Sequence, residues 1–134
     1  MKPFSLDSSM IASISGVFYP TGYSMIIFPD EKDAKAIGEH LSTGSSGSSE
    51  VYFIPAGTIL SQVSPTMQSG DDPLPSVGTD GATVRAFTKL AREGHAALLV
   101  KTADADSAEQ LMQIVRTVPY SMAQRYRTLV IEDL

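Results

Sequence analysis

A chain of 134 residues that is 43% hydrophobic and 19% charged has the composition of a globular protein, and this length supports one domain over residues 1–134. Because cysteine is absent, disulfide bonds, thiolate catalysis and the usual cysteine-ligated zinc sites are excluded. The net charge of −5 argues against binding to nucleic acid or to an acidic membrane through bulk charge. No signal-peptide pattern opens the sequence, so we expect a cytoplasmic protein.

The first predicted elements are strands. Two β-rich runs flank the turn signal Pro20-Thr21-Gly22, which predicts an N-terminal hairpin of two antiparallel strands within residues 14–28. Met25–Phe28 is the more regular of the two, because four apolar residues follow one another there.

A helix, a loop and a strand are predicted between residues 30 and 54. Asp30 can cap the helix, whose apolar stripe consists of Ala34, Ile37 and Leu41. The serine- and glycine-rich residues 45–49 predict a surface loop, and residues 50–54 predict a strand. Residues 55–81 then form a long connection, with a short helix or turn expected over 58–63.

Residues 82–118 have the most regular pattern in the chain, which predicts helix, strand and helix. The first helix covers residues 82–93 and ends at Gly94, a residue suited to the left-handed conformation. Ala96–Val100 is an unbroken apolar run, typical of a strand that is covered on both faces. The second helix opens with a capping box from Asp106 to Glu109 and ends before Pro119.

The chain closes with a predicted turn or short helix over residues 120–126 and a last strand over residues 127–131. A weak internal repeat then relates its halves, because the run from Asp30 to Leu41 matches the run from Asp104 to Val115 in the spacing of its alanine and aliphatic residues. Each run lies between two predicted strands. The sequence therefore predicts two βαβ units, over residues 25–54 and 96–131.

Two such units side by side predict an α+β, ferredoxin-like fold, a four-stranded sheet with its helices on one face. The N-terminal hairpin adds a strand to this sheet, and helix 82–93 is an extra helix between the units. The alternative is a small three-layer α/β sheet with parallel strands, in which helix 82–93 is itself a crossover. A helix on the opposite face would favour this alternative.

Candidate catalytic and metal-binding residues are few. His40 and His95 have no serine or aspartate at a spacing that implies a catalytic triad, so structural or surface roles are expected for both. Asp104, Asp106 and Glu109 have carboxylates that suit a hard cation, but helix capping accounts for the last two. We therefore predict no catalytic residue, no metal ion and no cofactor.

The basic residues form the candidate ligand site. Arg85, Lys89 and Arg92 share one helix face, because they are four and three positions apart. Later arginines lie near two tyrosines, a combination that can bind phosphate and stack on a base. The predicted site for a small anionic ligand or nucleotide, covered by loop 65–81, consists of Arg85, Lys89, Arg92, Arg116 and Arg125. The alternative is a solvated helix face, with the arginines paired to acidic residues or to a partner subunit.

Parts of both units resemble a group of bacterial proteins. A strand ending at Phe28 and followed by Asp30-Glu31-x-x-Ala34-x-x-Ile37, together with the closing segment from Arg125 to Leu134, carries the resemblance. These motifs resemble small uncharacterised bacterial proteins and, more loosely, bacterial general-stress-protein and heat-induced stress protein domains. The similarity covers mainly residues 23–54 and 95–131. It implies a stress-related accessory role and no particular catalytic residues.

Three functions are compatible with these observations. The first is a non-catalytic cytoplasmic accessory domain that forms homo-oligomers through the sheet face left open by its own helices. The second is a regulatory module that binds a small anionic ligand or nucleotide at the basic helix face. The third is an enzyme with a pocket at a dimer interface. We favour the first, because the sequence shows no assembled nucleophile, base or metal shell.

Overall fold

The computed structural model describes residues 1–11, 16–43, 50–67, 78–128 and 130–134, which form an α+β fold with four α-helices and a six-stranded mixed open sheet. The strands are β1 (Lys2–Pro3), β2 (Tyr23–Phe28), β3 (Val51–Ile54), β4 (Ala96–Lys101), β5 (Met122–Tyr126) and β6 (Ile131–Asp133). The helices are α1 (Glu31–Thr43), α2 (Ala56–Thr58), α3 (Gly78–Arg92) and α4 (Ala105–Val115). A π-helical turn, Ile59–Val63, and a 3₁₀ turn, Ser64–Met67, follow α2, and Ser8–Met10 is a further 3₁₀ turn.

The strands lie in the order β1-β3-β4-β2-β5-β6. Neighbouring strands are antiparallel except β1 and β3, which are parallel. At the centre, β2 and β4 pair along their full length, with Ile26 opposite Leu98. The two predicted halves therefore meet in one sheet, as the sequence indicated.

Helices cover both faces of the sheet. The apolar sides of α1 and α4 pack on the face that carries Ile26 and Leu98. The opposite face, which carries Ile27 and Leu99, is covered by α3 and by the π-helical turn. Because successive side chains of a strand point to opposite faces, β2 and β4 are buried on both sides. The predicted open sheet face is therefore wrong. The alternative of three layers is right that helix 82–93, here α3, lies on the opposite face. It is wrong about a parallel sheet and about a crossover helix, because α3 lies between β3 and β4, which are antiparallel.

The predicted N-terminal hairpin does not form in the described residues 16–28. Both edges of β2 are already occupied, by β4 and by β5, so no edge is left for a strand from the N-terminal segment. The first strand of the chain is β1, which pairs with β3 at the sheet edge. Phe18 instead places its side chain in the core beneath α3, and its backbone makes one isolated bridge to Ile11. Residues 12–15 lie outside the described residues.

Both helices of the repeat begin at an aspartate. Asp30 caps α1, since its carboxylate accepts the Lys32 N–H at 2.9 Å, and the predicted stripe of Ala34, Ile37 and Leu41 is buried. Asp104, rather than Asp106, caps α4. Its carboxylate accepts the Ser107 N–H at 2.8 Å, and the Ser107 hydroxyl accepts the Asp104 N–H at 3.1 Å. The capping box therefore lies two residues earlier than predicted.

The C-terminal segment forms a hairpin. Residues 122–126, predicted as a turn or short helix, are strand β5, which pairs with β2 on one side and β6 on the other. Of the predicted strand 127–131, Ile131 begins β6, whereas Arg127 and Val130 lie in the connecting turn and exchange backbone hydrogen bonds of 2.8 and 3.4 Å. Leu129 lies outside the described residues. The strand lies earlier than predicted because Ala123 and Tyr126 bury their side chains in the core, whereas Arg127 and Val130 are exposed.

The extra helix is confirmed as α3, although it begins at Gly78 rather than at residue 82. It ends as predicted at Gly94, whose φ of +90° lies in the left-handed region. The His95 N–H donates to Leu90 and the Gly94 N–H to Ala91, at 3.1 and 3.0 Å, which is the Schellman pattern of a helix end. Residues 44–49 and 68–77, predicted as loops, lie outside the described residues. No helix of the described segments is long and apolar enough to cross a membrane.

The end of α3 generates a stability prediction. Gly94→Ala is expected to lower the free energy of unfolding by about 1–2 kcal/mol, because a side chain at positive φ crowds the following carbonyl oxygen. Gly57→Ala is the control, since Gly57 is exposed in α2, has no positive φ and leaves open space for a Cβ atom. That change should leave stability unchanged or raise it by up to about 1 kcal/mol. Urea denaturation measures both, and equal losses would contradict the assignment.

Candidate functional site

A cleft of about 400 Å³ opens at one end of the sheet, where β4 and β5 finish and β2 begins. Its wall combines hydroxyl groups, guanidinium groups and one glycine. The residues that matter for its chemistry are Thr21, Gly22, Thr102, Arg125, Arg127 and Thr128. Most of these side chains are polar, so the cleft is suited to a polar ligand.

Gly22 shapes the floor of the cleft. A turn brings the chain into β2, closed by the Tyr23 N–H donating to the Pro20 carbonyl at 3.0 Å. Gly22 is the third residue of this turn and has a φ of +90°, a conformation that other residues rarely adopt there. Its N–H donates to Tyr126 and its carbonyl accepts from Thr102, both at 2.9 Å. The ends of β4 and β5 are thereby joined through one residue.

A buried hydroxyl pair lies beside this floor. The Ser24 and Thr102 hydroxyls are 2.8 Å apart, and both side chains are almost fully buried. One hydroxyl donates to the other, so neither is buried without a hydrogen-bond partner. The pair fixes the position of Thr102, which lines the cleft directly after β4.

Two arginines at the end of β5 supply positive charge to the cleft. The Arg125 side chain is only 13% exposed, and its guanidinium contacts the Glu132 carboxylate across the β5–β6 hairpin at 3.2 Å. Arg127 is exposed and makes no ion pair with any residue that the structure describes. Arg125 is therefore held in place, whereas the Arg127 guanidinium, which has no acidic partner among the described residues, can bind a ligand.

The N-terminus of α4 adjoins the cleft through Ala103. Hydrogen bonds from the Ser107 backbone and hydroxyl hold the pKa of Asp104 below its ordinary value, and the nearby Arg125 contributes to the same shift. Asp104 is thus an ionised cap, and Arg125 lies close enough to interact with it.

A second polar cluster lies at the same end of the sheet and joins three neighbouring strands. The hydroxyls of Tyr23 and Tyr52 both donate to Oε1 of Glu50 at 3.0 Å, while Nζ of Lys101 lies 3.5 Å from Oε2. The ammonium of Lys2 lies 5.9 Å from the centre of the Tyr52 ring, so β1 also contacts this cluster. The two tyrosine hydrogen bonds lower the pKa of Glu50. Burial and the neighbouring Glu50 carboxylate raise the pKa of both tyrosines.

The structure does not bring the five predicted ligand residues together. Arg85, Lys89 and Arg92 are exposed on α3, which covers one face of the sheet. Arg116 ends α4 on the other face, where its guanidinium pairs with Glu109 at 3.2 Å. Among these five residues, Arg125 is the one that lines the cleft.

The acidic residues considered for a cation serve other roles. Asp104 caps α4, Asp106 is exposed in its first turn, and Glu109 pairs with Arg116. Among the described residues, no group of three or more histidine, aspartate or glutamate side chains is placed to hold a metal ion.

The sequence pattern missed most of the cleft. Thr21 and Gly22 were predicted as a hairpin turn, and Thr102 lies just past the predicted strand Ala96–Val100. They meet because the strand order brings the start of β2 between the ends of β4 and β5. One feature of the sequence indicated the cleft, namely Arg125 and Arg127, which lie two residues apart near the C-terminus.

Comparison of this chain with protein-family models, with curated proteins and with solved structures gives no match. The resemblance to general-stress-protein and heat-induced stress protein domains therefore stays a prediction from the sequence.

The Glu50 cluster generates a prediction about pH. Because the pKa of Glu50 is lower in the folded protein than its ordinary 4.5, its ionised form stabilises the fold above that pH. This contribution is lost as the pH falls through the folded-state pKa. Glu50→Gln should therefore lower the melting temperature at pH 7, and the difference from wild type should shrink toward pH 3. Circular dichroism melting curves at several pH values measure this difference.

The control for this experiment is Glu39→Gln, which changes an exposed carboxylate of α1 that has no ion pair within the described residues. Its melting temperature should follow wild type at every pH. A Glu50→Gln deficit of the same size at pH 3 and pH 7 would show that the cluster does not act through the charge of Glu50.

Proposed function

We propose that the protein is a regulatory ligand-binding domain that holds a small anionic molecule in the cleft at the ends of β4 and β5. The observation that carries this proposal is the presence of Arg125 and Arg127 in the wall of one cleft, next to Thr21 and Thr128. Guanidinium groups donate paired hydrogen bonds that match a carboxylate or a phosphate. The recognised group is therefore expected to be one of these two.

The size of the cleft supports a small ligand. Its volume of about 400 Å³ lies within the usual range of small-molecule sites, which is roughly 300–1,000 Å³. The wall also includes the apolar side chain of Val130, which can contact a non-polar part of the ligand. A compact molecule with one anionic group fits these features better than an extended polymer does.

The cleft supports this function better than the basic face of α3 does. Arg85, Lys89 and Arg92 share an exposed helix face and do not line the cleft, whereas Arg127, which is also exposed, lines the cleft together with Arg125. Arg125 is mostly buried and held by Glu132, so its guanidinium loses little conformational freedom when a ligand binds. The anionic ligand predicted from sequence is therefore assigned to the cleft rather than to the helix.

A non-catalytic accessory role in stress, with self-association of the chain, remains a second proposal beside ligand binding. The surface first expected to mediate self-association was an open sheet face, and α3 covers that face within the chain. A homo-oligomer would therefore have to use another surface. Measurement of the mass in solution at several concentrations tests this.

We also infer that the four central strands, with α1 and α4, are a ferredoxin-like unit. The support for this inference is the order β3-β4-β2-β5 with antiparallel neighbours, and the packing of both helices on one face. The strands β1 and β6 and the helix α3 are then additions to this unit.

Isothermal titration calorimetry with inorganic phosphate, a dicarboxylic acid and a mononucleotide tests the proposed function. At least one of them is expected to bind wild type with one site per chain. Arg127→Gln removes a charged hydrogen-bond donor, which typically contributes about 1.5–3 kcal/mol, so Kd should rise by about tenfold or more.

Arg85→Gln is the matched control, because it removes one exposed arginine of the α3 face instead. Its Kd should equal that of wild type at the same ionic strength. Binding that weakens in Arg85→Gln and persists in Arg127→Gln would place the ligand on the helix. Absence of binding by all three compounds would remove the proposal for phosphate and carboxylate ligands of this size.

A further inference from the structure

A serine and a histidine meet at the end of the sheet opposite the cleft. The Ser121 Oγ and the His95 Nδ1 are 2.8 Å apart, a hydrogen-bond distance. The other ring nitrogen of His95, Nε2, lies 3.8 Å from the carboxylate of Glu93. His95 immediately precedes β4 and Ser121 immediately precedes β5, whereas the cleft lies where these strands end. With about 3.3 Å per strand residue, the two sites are separated by roughly 20 Å.

The backbone holds both residues in place. The His95 N–H donates to the Leu90 carbonyl at 3.1 Å, as part of the Schellman end of α3. The Ser121 N–H donates to the Ile27 carbonyl of β2 at 2.7 Å. The His95 side chain is only 16% exposed, so the imidazole is also confined by its surroundings. The contact between the two side chains is therefore fixed by two independent backbone anchors.

A cavity of about 250 Å³ opens beside the serine, lined by Tyr120, Ser121, Met122, Gln124 and Leu134 among others. The amide nitrogen of Gln124 donates to Asp133 at 3.0 Å. The Gln124 Oε1 is buried and has no hydrogen-bond partner among the described residues. The Gln124 side chain is therefore part of the cavity wall, while its oxygen is shielded from a molecule in the cavity.

We propose that Ser121 is a nucleophile for acyl transfer, with His95 as its base and the neighbouring cavity as the site for a small ester. The Ser121 Oγ attacks the carbonyl carbon of the ester while its proton moves to His95 Nδ1. The carbon–oxygen bond of the ester then breaks, and the leaving alkoxide takes the proton from the imidazolium and departs as an alcohol. Water repeats the sequence on the acyl-serine, with His95 again as base. The carboxylic acid is released and the free serine is restored.

Glu93 acts on this step as a positioning residue. Its carboxylate lies 3.8 Å from His95 Nε2, so it faces the imidazolium that forms when the serine loses its proton. Glu93 is more than half exposed, and water screens the interaction. Glu93→Gln is therefore expected to slow acylation much less than loss of His95 does.

The test uses p-nitrophenyl acetate, which reports acylation by the release of p-nitrophenolate, and peptide mass spectrometry, which locates the acetyl group. Wild type is expected to carry acetyl on Ser121 and to release product in a burst. In Ser121→Ala that peptide should stay unmodified, and in His95→Gln the rate should fall by roughly 10²–10⁴-fold. Acetyl found on lysines alone, or an acylation rate that His95→Gln leaves unchanged, would overturn the proposal.

The absence of cysteine allows a second test that needs no ester binding. Ser121→Cys introduces the sole thiol of the chain, and His95 should accelerate its alkylation by iodoacetamide. Ser64→Cys is the matched control, since Ser64 is also half-buried but its hydroxyl bonds to Thr88 rather than to an imidazole. Melting curves establish that both variants fold. A Ser121→Cys thiol that reacts no faster than the Ser64→Cys thiol would show that His95 does not activate this position.

Discussion

The pairing of β2 with β4 is the constraint on which the rest of the structure depends. These two strands lie at the centre of the sheet and are joined along six residue pairs, and nearly all of their side chains are buried. Their backbone groups find partners within the sheet, and their apolar side chains enter a core on each face. Helices must therefore cover both faces, and both edges of β2 are occupied.

The same constraint determines where polar chemistry can occur. A sheet covered on both faces exposes its polar groups chiefly where its strands begin and end. At the end where β4 finishes, the Ser24–Thr102 hydroxyl pair marks the transition from the core to a cleft with two arginines. At the other end, His95 and Ser121 meet just before β4 and β5 begin. The proposed ligand site and the proposed nucleophile thus occupy the two ends of one sheet.

Local patterns predicted the elements whose causes are local. The run Ala96–Val100 indicated a strand covered on both faces, and Asp30 indicated the start of α1, because each depends on nearby residues alone. The repeat was also informative, since it aligned Asp104 with Asp30 and both proved to be caps. The capping-box pattern favoured Asp106 over Asp104, because Glu109 follows Asp106 by three positions and a glutamate is common at that position of a capping box.

Errors occurred where long-range pairing decides the structure. The sequence correctly indicated a turn at Pro20. The strand predicted before this turn does not form, because β4 and β5 already occupy both edges of β2. The basic residues were grouped by their charge, although α3 and α4 lie on opposite faces of the sheet. His95 and Ser121 are 26 positions apart, so no spacing rule could pair them. These contacts follow from strand order, which a single sequence does not reveal.

Amide hydrogen exchange tests most directly whether the chain covers its own sheet on both faces. If it does, the amides of β2 and β4 should exchange most slowly of all, and their rates should not change when the protein is diluted from high to low micromolar concentration. Faster exchange of these amides on dilution would contradict this account, because it would mean that a second copy covers one face of the sheet.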